Sequence, residues 1–307
     1  MTEMNEMQFN GFRSGFVALV GKPNVGKSTL LNAYVGQMIA AVSAKPQTTR
    51  RRQLGILTSE KAQIMFVDTP GMHAGEYKLS QFINEEALFA LMDADLILFV
   101  VDASQMPDKE DQALAAEIQA LKEPGKLLLV MNKMDLVPPE LAADRRAQFQ
   151  KLLPFDDLIE ISAVSAPGRD VLLEKAISLL PEGPKYYPED QITETYEREI
   201  AEDLIRAAAL ENLRDEVPYG IFVRMDDYKA REDNLRYIHA TILVERDSHK
   251  GIVIGKRGLM IKKISTEARQ KIEDLSGEKV YLELQVKVEK NWRNNPDFLR
   301  RYGLSHD

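Results

Sequence analysis

Short apolar runs alternate with helix-patterned segments along the first 180 or so residues. Continuous apolar runs, typical of strands buried on both faces, lie at 15–20, 96–101 and 126–131. The segments 53–57 and 62–67 predict a pair of hairpin strands. Helical patterns occur at 28–35 and around 81–92, 109–122, 140–152 and 170–180. Strands that alternate with helices predict an α/β fold with a doubly wound, mostly parallel sheet, in which ligands bind at the carboxyl ends of strands.

A different pattern follows the segment PEGPKYYPED, which holds three prolines and a glycine and predicts an interdomain linker. Beyond it we expect one helix, two strands, two helices and a last strand, near 194–211, 218–226, 236–245, 248–254, 258–276 and 280–288. The last strand alternates apolar and polar side chains from Val280 to Val288. The predicted organisation is therefore an α/β domain over 12–180, a linker over 181–190, and a C-terminal α+β domain over 191–307.

Composition and charge exclude several kinds of site and partner. The 307 residues include no cysteine, which excludes disulfides, thiolate nucleophiles and cysteine-ligated zinc. Residues 1–190 hold 19 Lys and Arg against 26 Asp and Glu, and residues 191–307 hold 21 against 22. Neither part is basic enough to bind nucleic acid through bulk charge, and we expect no DNA partner. The start of the chain has no signal-peptide pattern and no apolar run is long enough to span a membrane, so we expect a cytoplasmic protein.

The stretch GKPNVGKS matches the phosphate-loop pattern, follows a predicted strand and opens a predicted helix. Its glycines let backbone N–H groups turn toward phosphate oxygens, and the helix N-terminus adds a positive dipole end. We expect Lys27 to reach the β- and γ-phosphates and Ser28 to ligate Mg²⁺. The predicted phosphate contacts are Gly21, Lys22, Pro23, Asn24, Val25, Gly26, Lys27, Ser28 and Thr29.

Two further motifs stand at the ends of later strands. Asp68 in DTPG can hold Mg²⁺ through water, and the N–H of Gly71 can contact the γ-phosphate. Asn132, Lys133 and Asp135 in NKMD indicate the base. The Asp135 carboxylate can accept hydrogen bonds from N1 and N2 of guanine, whereas adenine offers neither donor. At ~1.5–3 kcal/mol per charge-assisted bond, the pair favours guanine about 10²- to 10⁴-fold.

These motifs, with Ser162 and Ala163 closing over the base, resemble the nucleotide-binding boxes of the translation-factor-related GTPases. That resemblance implies a threonine between residues 36 and 52 that ligates Mg²⁺ and senses the γ-phosphate. Thr48 and Thr49 are both candidates, and alignment on the following arginine favours Thr49. The candidate catalytic residues are thus Lys27, Thr49, Gly71 and Asn24, and the candidate Mg²⁺ ligands are Ser28, Thr49 and Asp68.

Met72 occupies the position at which Ras-type enzymes carry a water-orienting glutamine. Methionine cannot orient water, so we expect slow intrinsic hydrolysis, on the order of 10⁻⁴–10⁻² s⁻¹. Asn24 has two interpretations. It is either a turn residue that tolerates left-handed backbone angles, or, as in related GTPases, an amide ligand for K⁺, which makes K⁺ a second candidate cofactor beside Mg²⁺.

The C-terminal domain carries the loop GKRG between two predicted helices, and its order of elements fits a type II KH domain. In KH domains such a loop clamps single-stranded RNA because its glycines let the backbone approach the phosphates. A basic turn between two helices is the structural alternative. The predicted RNA-binding residues are Gly255, Lys256, Arg257, Gly258, Lys250, Lys262 and Lys263.

A KH domain directly after one GTPase domain, with GKPNVGKS, PQTTR, DTPG, NKMD and GKRG in series, closely resembles the bacterial Era GTPases over residues 12–304. The resemblance implies a switch that hydrolyses GTP, binds the single-stranded 3′ end of small-subunit rRNA and assists assembly of the small ribosomal subunit. It also implies occasional peripheral contact with the inner face of the cell membrane.

Three alternatives remain at this stage. A metabolic phosphate-loop kinase or ATPase is disfavoured by Asp135. A tRNA-modification or double GTPase needs a catalytic cysteine or a second phosphate loop, and the sequence has neither. A membrane-associated regulatory GTPase whose KH fold is mainly a docking surface is the third.

Overall fold

The computed structural model describes residues 10–42, 45, 49–70, 77–121, 124–232 and 234–306. In chain order its strands are β1 (Arg13–Val20), β2 (Gln53–Thr58), β3 (Ala62–Asp68), β4 (Leu96–Asp102), β5 (Lys126–Asn132), β6 (Asp157–Glu160), β7 (Phe222–Arg231), β8 (Leu235–Val244) and β9 (Lys279–Val288). Its helices are α1 (Lys27–Val35), α2 (Lys78–Met92), α3 (Lys109–Gln119), α4 (Pro139–Gln150), α5 (Ala166–Leu179), α6 (Glu197–Asn212), α7 (Asp247–Ile254), α8 (Leu259–Ser276) and α9 (Pro296–Arg301).

The first six strands form one sheet in the order β2-β3-β1-β4-β5-β6. β2 and β3 pair antiparallel, as the hairpin pattern predicts, and the other neighbours pair parallel. β4 is buried at every position except its last, which is why its sequence reads as a continuous apolar run. The predicted mostly parallel α/β sheet is confirmed, and the strand order reverses beside β1, where such sheets bind ligands.

The proline-rich segment 181–190 is hydrogen-bonded to residues in and beside this sheet. Gly183 N–H donates to the Phe12 carbonyl, and Ser14 N–H donates to the Pro181 carbonyl. The buried Gln63 side chain accepts from the N–H groups of Tyr186 and Tyr187 and donates to the Tyr187 carbonyl. Since these partners hold its backbone, the segment is packed against the first unit, which a high proline content alone does not reveal.

β7, β8 and β9 form a second sheet in which β7 pairs antiparallel with β8 and β8 pairs parallel with β9. The chain order α6-β7-β8-α7-α8-β9 is the one predicted for a type II KH domain. Along α8, Ile264, Ala268 and Ile272 recur every four residues on one helix face and are all buried.

By contacts the chain divides into two compact units that do not follow one boundary in the sequence. The first comprises 1–36, 52–69 and 87–194; the second comprises 37–51, 70–86 and 195–307. The second unit therefore includes the segment with Thr49 and the first half of α2. Within it, Leu79, Phe82 and Ile83 join a buried cluster that also holds Phe222, Leu243, Trp292, Phe298, Leu299 and Leu304.

Arg50 is a buried polar residue beside this cluster. Its guanidinium is buried, lies 5.5 Å from the centre of the Trp292 ring, and donates to the carbonyls of Tyr219 and Ile221 at 3.1 and 2.8 Å. Trp292 Nε1 donates to the carbonyl between them, that of Gly220, at 3.0 Å. Burial lowers the pKa of Arg50, and hydrogen bonds of this kind offset the cost of a buried cation.

Among the described residues, no helix is both long and apolar enough to cross a membrane.

Candidate functional site

The phosphate loop runs from Gly21 to Ser28, between the end of β1 and the first turn of α1. Gly26 precedes α1 with a φ of 108°, and a Cβ there would stand 2.3 Å from Nδ2 of Asn132. A Cβ on Gly21 would stand 2.2 Å from the Val100 carbonyl oxygen. Neither position has room for a side chain, so the loop keeps its path only with these glycines. Val25 is buried, whereas Pro23 and Thr29 are partly exposed.

Lys27 is buried beneath this loop with its ammonium group turned inward. Its Nζ donates to the carbonyls of Gly21 and Lys22 at 2.8 and 2.9 Å. Burial lowers the pKa of Lys27 to about 8, although the carboxylate of Asp68 acts in the opposite direction. The ammonium is thus held by weak neutral acceptors, and phosphate oxygens are stronger ones.

Ser28 and Asp68 meet below the loop, where Ser28 Oγ donates to Oδ2 of Asp68 at 2.5 Å. Asp68 is fully buried at the end of β3. A hydroxyl and a carboxylate oxygen are the hard donors that Mg²⁺ prefers, with water and phosphate oxygens completing its octahedron. The two side chains fit the predicted metal site.

Asn132 supports the loop from the neighbouring strand. Its Nδ2 donates to the Val25 carbonyl at 2.6 Å, and its Oδ1 accepts from the Ala163 N–H at 2.7 Å. One buried amide therefore joins the phosphate loop to the segment of Ser162 and Ala163. The motif NKMD predicts Asn132 as a nucleotide contact, but its hydrogen bonds to Val25 and Ala163 are evident only in the structure.

Lys133 and Asp135 follow β5 in a short turn. Lys133 has a left-handed φ of 62°, and its Nζ donates to Asp102 Oδ2 at 2.6 Å. The carboxylate of Asp102 also accepts from Ser104. Although burial opposes this, bonds from Lys133 and Ser104 lower the pKa of Asp102. Asp135 is exposed, so its carboxylate is accessible to a ligand.

Acidic residues that sequence analysis missed lie beside the phosphate loop. Lys22 Nζ lies 2.7 Å from Asp108 Oδ2 and 2.8 Å from Asp111 Oδ2, at the N-terminus of α3. Burial would lower the pKa of Lys22, but the hydrogen bonds to both carboxylates raise it. The spacing D-x-x-D before a helix is a capping-box signal that could have drawn attention to them.

Of the remaining predicted nucleotide contacts, some lie among the described residues and others do not. Asn24 is exposed with a left-handed φ of 64°, as the turn interpretation requires. Thr49 is partly buried and belongs to the second unit. Thr48, Gly71 and Met72 lie outside the described residues, so their predicted roles stay predictions.

The glycine loop of the second unit connects α7 to α8. Gly255 and Gly258 have φ values of 72° and 77°, and a Cβ on Gly255 would stand 2.5 Å from Cβ of Met260. Arg257 itself is left-handed with a φ of 53°. Lys256 and Arg257 project from this turn as exposed cations. Of the other predicted RNA contacts, Lys262 and Lys263 are exposed and Lys250 is partly exposed.

Comparison with known proteins agrees with both halves of this description. A family model described as a 50S ribosome-binding GTPase matches residues 16–133, and a KH domain model matches residues 216–293. The GTPase Era of Ruminiclostridium cellulolyticum is 43% identical over 95% of this chain and 97% of its own length. That of Geobacter metallireducens is 45% identical over 97% of this chain and 100% of its own.

Solved structures give the same result. Era in complex with MgGDPNP and nucleotides 1506–1542 of 16S ribosomal RNA has a TM-score of 0.89 at 37% identity, covering 96% of this chain and 99% of that one. A point variant of Aquifex aeolicus Era bound to GDP·AlF4⁻ has a TM-score of 0.88 at 37% identity, covering 96% of this chain and 100% of that one.

Fold and site together define a phosphate-loop GTPase domain followed by a KH domain. Identities of 43% and 45% over nearly the whole length specify the family further. The chain belongs to the Era GTPase family.

Exchanging Asp135 for Asn tests the base contact. The amide presents an N–H where guanine also donates, so we expect GTP affinity to fall by about 10²-fold and XTP, whose O2 accepts, to bind better than GTP. Competition with a fluorescent GDP analogue measures both affinities. Glu140→Gln, which neutralises a nearby exposed carboxylate at the start of α4, is the matched control. A wild-type preference for GTP in the Asp135 variant would refute the assignment.

Proposed function

We propose that this chain is a GTP-hydrolysing switch that binds the single-stranded 3′ end of small-subunit rRNA and assists assembly of the small ribosomal subunit. The observation that carries the proposal is the presence in one chain of two glycine loops, each with basic side chains, whose backbones leave no room for larger residues at Gly21, Gly26 and Gly255. One is the inward-facing loop over Lys27, and the other is the exposed glycine loop with Lys256 and Arg257. Cytoplasm is the compartment that this function requires.

The nucleotide chemistry follows from the residues around the first loop. Lys27 exchanges carbonyl acceptors for β- and γ-phosphate oxygens, and Ser28, Asp68 and Thr49 are the proposed ligands of Mg²⁺. Bound Mg²⁺ would neutralise charge on the phosphates. Asp135 selects guanine, and Gly71 is the proposed backbone donor to the γ-phosphate. With Met72 in place of a water-orienting glutamine, we expect the intrinsic rate to be slow.

The RNA partner is proposed from chemistry and from a relative. An exposed glycine turn with two cations admits a phosphodiester backbone closely, as KH domains do. The similar Era structure holds nucleotides 1506–1542 of 16S rRNA, which belongs to the small subunit. The family model described as a 50S ribosome-binding GTPase matches only residues 16–133. The Era structure with 16S rRNA covers 96% of this chain, so we take the small subunit as the source of the RNA partner.

Reversing the charge of Lys256 and Arg257 to Asp tests the RNA site. We expect loss of single-stranded RNA binding with GTP affinity unchanged, because the two loops serve different ligands. Alanine at both positions should reduce the slope of log affinity against log salt by ~1.4, at about 0.7 per lost phosphate contact. Filter binding with a labelled 3′-end oligoribonucleotide measures both effects.

The control for this experiment is alanine at Lys287 and Lys290, which lie on and just after β9 and are also exposed. An unchanged slope in the Lys256 and Arg257 variant, or an equal reduction in the control, would place the phosphate contacts elsewhere.

Nothing in the described part of the chain favours a membrane docking surface instead. Vesicle flotation with and without RNase separates that alternative, because only membrane-bound protein floats after RNase.

K⁺ is the proposed second cation at the nucleotide site. Without a glutamine or an evident arginine finger, charge that develops between the β- and γ-phosphates needs another partner. Asn24 stands at the exposed bend of the phosphate loop, where an amide oxygen can reach a ligand. A turn residue at this position needs the same left-handed backbone, so hydrolysis rates must distinguish a K⁺ ligand from a turn residue.

Hydrolysis rates in KCl and NaCl at equal ionic strength provide that test. We expect K⁺ to accelerate hydrolysis about tenfold, which corresponds to ~1.4 kcal/mol of barrier. The gain should disappear in Asn24→Ala with GTP affinity little changed, while Asn24→Gly controls for the left-handed bend and should lose it as well. Rates equal within twofold, or acceleration that survives in Asn24→Ala, would leave Asn24 as a turn residue only.

A further inference from the structure

Lys22, the second residue of the phosphate loop, is held by two carboxylates. Its Nζ lies 2.7 Å from Asp108 Oδ2 and 2.8 Å from Asp111 Oδ2. The side chains of Lys22 and Asp111 are 13% and 2% exposed, so this ion pair is shielded from solvent on both sides. A shielded pair with a second carboxylate is worth more than an isolated surface pair.

The carboxylates are themselves fixed by the start of α3. Asp108 Oδ1 accepts from the N–H groups of Glu110 and Asp111 at 2.9 and 3.2 Å, and Asp111 Oδ2 accepts from the Asp108 N–H at 3.0 Å. This reciprocal capping box locks the two side chains before they meet Lys22. The lysine is thus tied to a rigid helix end rather than to a flexible loop.

The ion pairs of Lys22 fix the part of the phosphate loop that also binds the Lys27 ammonium. The carbonyl of Lys22 accepts from Lys27 Nζ at 2.9 Å. Three residues on, Asn132 holds the Val25 carbonyl at 2.6 Å. The loop between these points is therefore fixed at both ends, once by a charged side chain and once by a buried amide.

We propose that Lys22, Asp108 and Asp111 form a clasp that positions the phosphate loop for the diphosphate group of guanine nucleotides. Lys22 acts through the loop backbone, so it is a positioning residue. Without the lysine side chain, the loop loses its anchor at position 22, and two carboxylates are left unneutralised beside the phosphate loop. The clasp acts before hydrolysis, on the β-phosphate that GDP and GTP share.

Exchanging Lys22 for Met removes the charge while keeping an unbranched side chain. We expect GDP and GTP to bind about tenfold more weakly, KM for GTP to rise by a similar factor and kcat to stay within twofold, because uniform binding is lost. The preference for GTP over XTP should be unchanged. Lys22→Arg should restore binding to within twofold of wild type. Lys175→Met, which breaks an ion pair with Asp157 in the same unit, should change nothing.

Neutralising the acids separates the clasp from direct phosphate binding. Asn caps helices as well as Asp, so Asp108→Asn with Asp111→Asn keeps the capping bonds and removes the charges. In that background Lys22→Met should cost less than twofold. A full tenfold loss there would show that Lys22 contacts phosphate directly, and wild-type affinity in Lys22→Met alone would also overturn the proposal. A fall in the fraction of protein that binds GDP would show general unfolding instead, which overturns it too.

The inference rests on the proposed GTPase function, and the two fail differently. Wild-type protein that does not bind GDP would refute the function. Wild-type protein that binds GDP, together with a Lys22→Met variant that binds it equally well, would refute only the clasp.

Discussion

The buried ammonium of Lys27 is the constraint on which the nucleotide-binding half of this molecule depends. Removing a lysine from water is costly, and here its ammonium donates to the neutral carbonyls of Gly21 and Lys22, with the Asp68 carboxylate favouring the charged form. Those carbonyls can face inward only because the loop turns tightly around two glycines with no room for a Cβ. Asn132 holds the same turn from β5. The loop therefore surrounds a buried cation whose hydrogen-bond acceptors among the described residues are backbone carbonyls, and phosphate oxygens are stronger acceptors than these.

The compact unit that holds the KH fold also includes two segments, 37–51 and 70–86, that precede the predicted linker in the sequence. The segment 37–51, which carries Thr49, belongs to the unit of the KH fold. Its last residues are fixed there by Arg50, whose guanidinium and the Trp292 indole bind three successive carbonyls from Tyr219 to Ile221. Leu79, Phe82 and Ile83 share the core of that unit as well. A residue proposed to sense the γ-phosphate is thus followed in the sequence by an arginine that is buried in the unit of the KH fold.

Most of the fold could be predicted from periodicity, because buried parallel strands such as β4 read as unbroken apolar runs and β9 alternates with period two. Predicted helix ends differed by a few residues, since a hydrophobic pattern marks the buried face and not the terminal turns. Sequence could not show that Gln63 fixes the proline-rich segment, that Asn132 braces the phosphate loop, or that Asp108 and Asp111 hold Lys22. Each is a contact between distant residues, decided by which strand ends become neighbours. The glycines of both loops were predictable, because close backbone approach leaves a local signature.

The most direct test of this account is the proton balance of nucleotide binding. Burial lowers the pKa of Lys27 to about 8, and a phosphate beside its ammonium raises that pKa. GDP titrations by calorimetry at pH 8, in two buffers of different ionisation enthalpy, measure the protons exchanged. From that pKa of about 8, we expect uptake approaching about half a proton at pH 8 and about a tenth at pH 7. No uptake at pH 8, or release of protons, would contradict a buried lysine that awaits its anion.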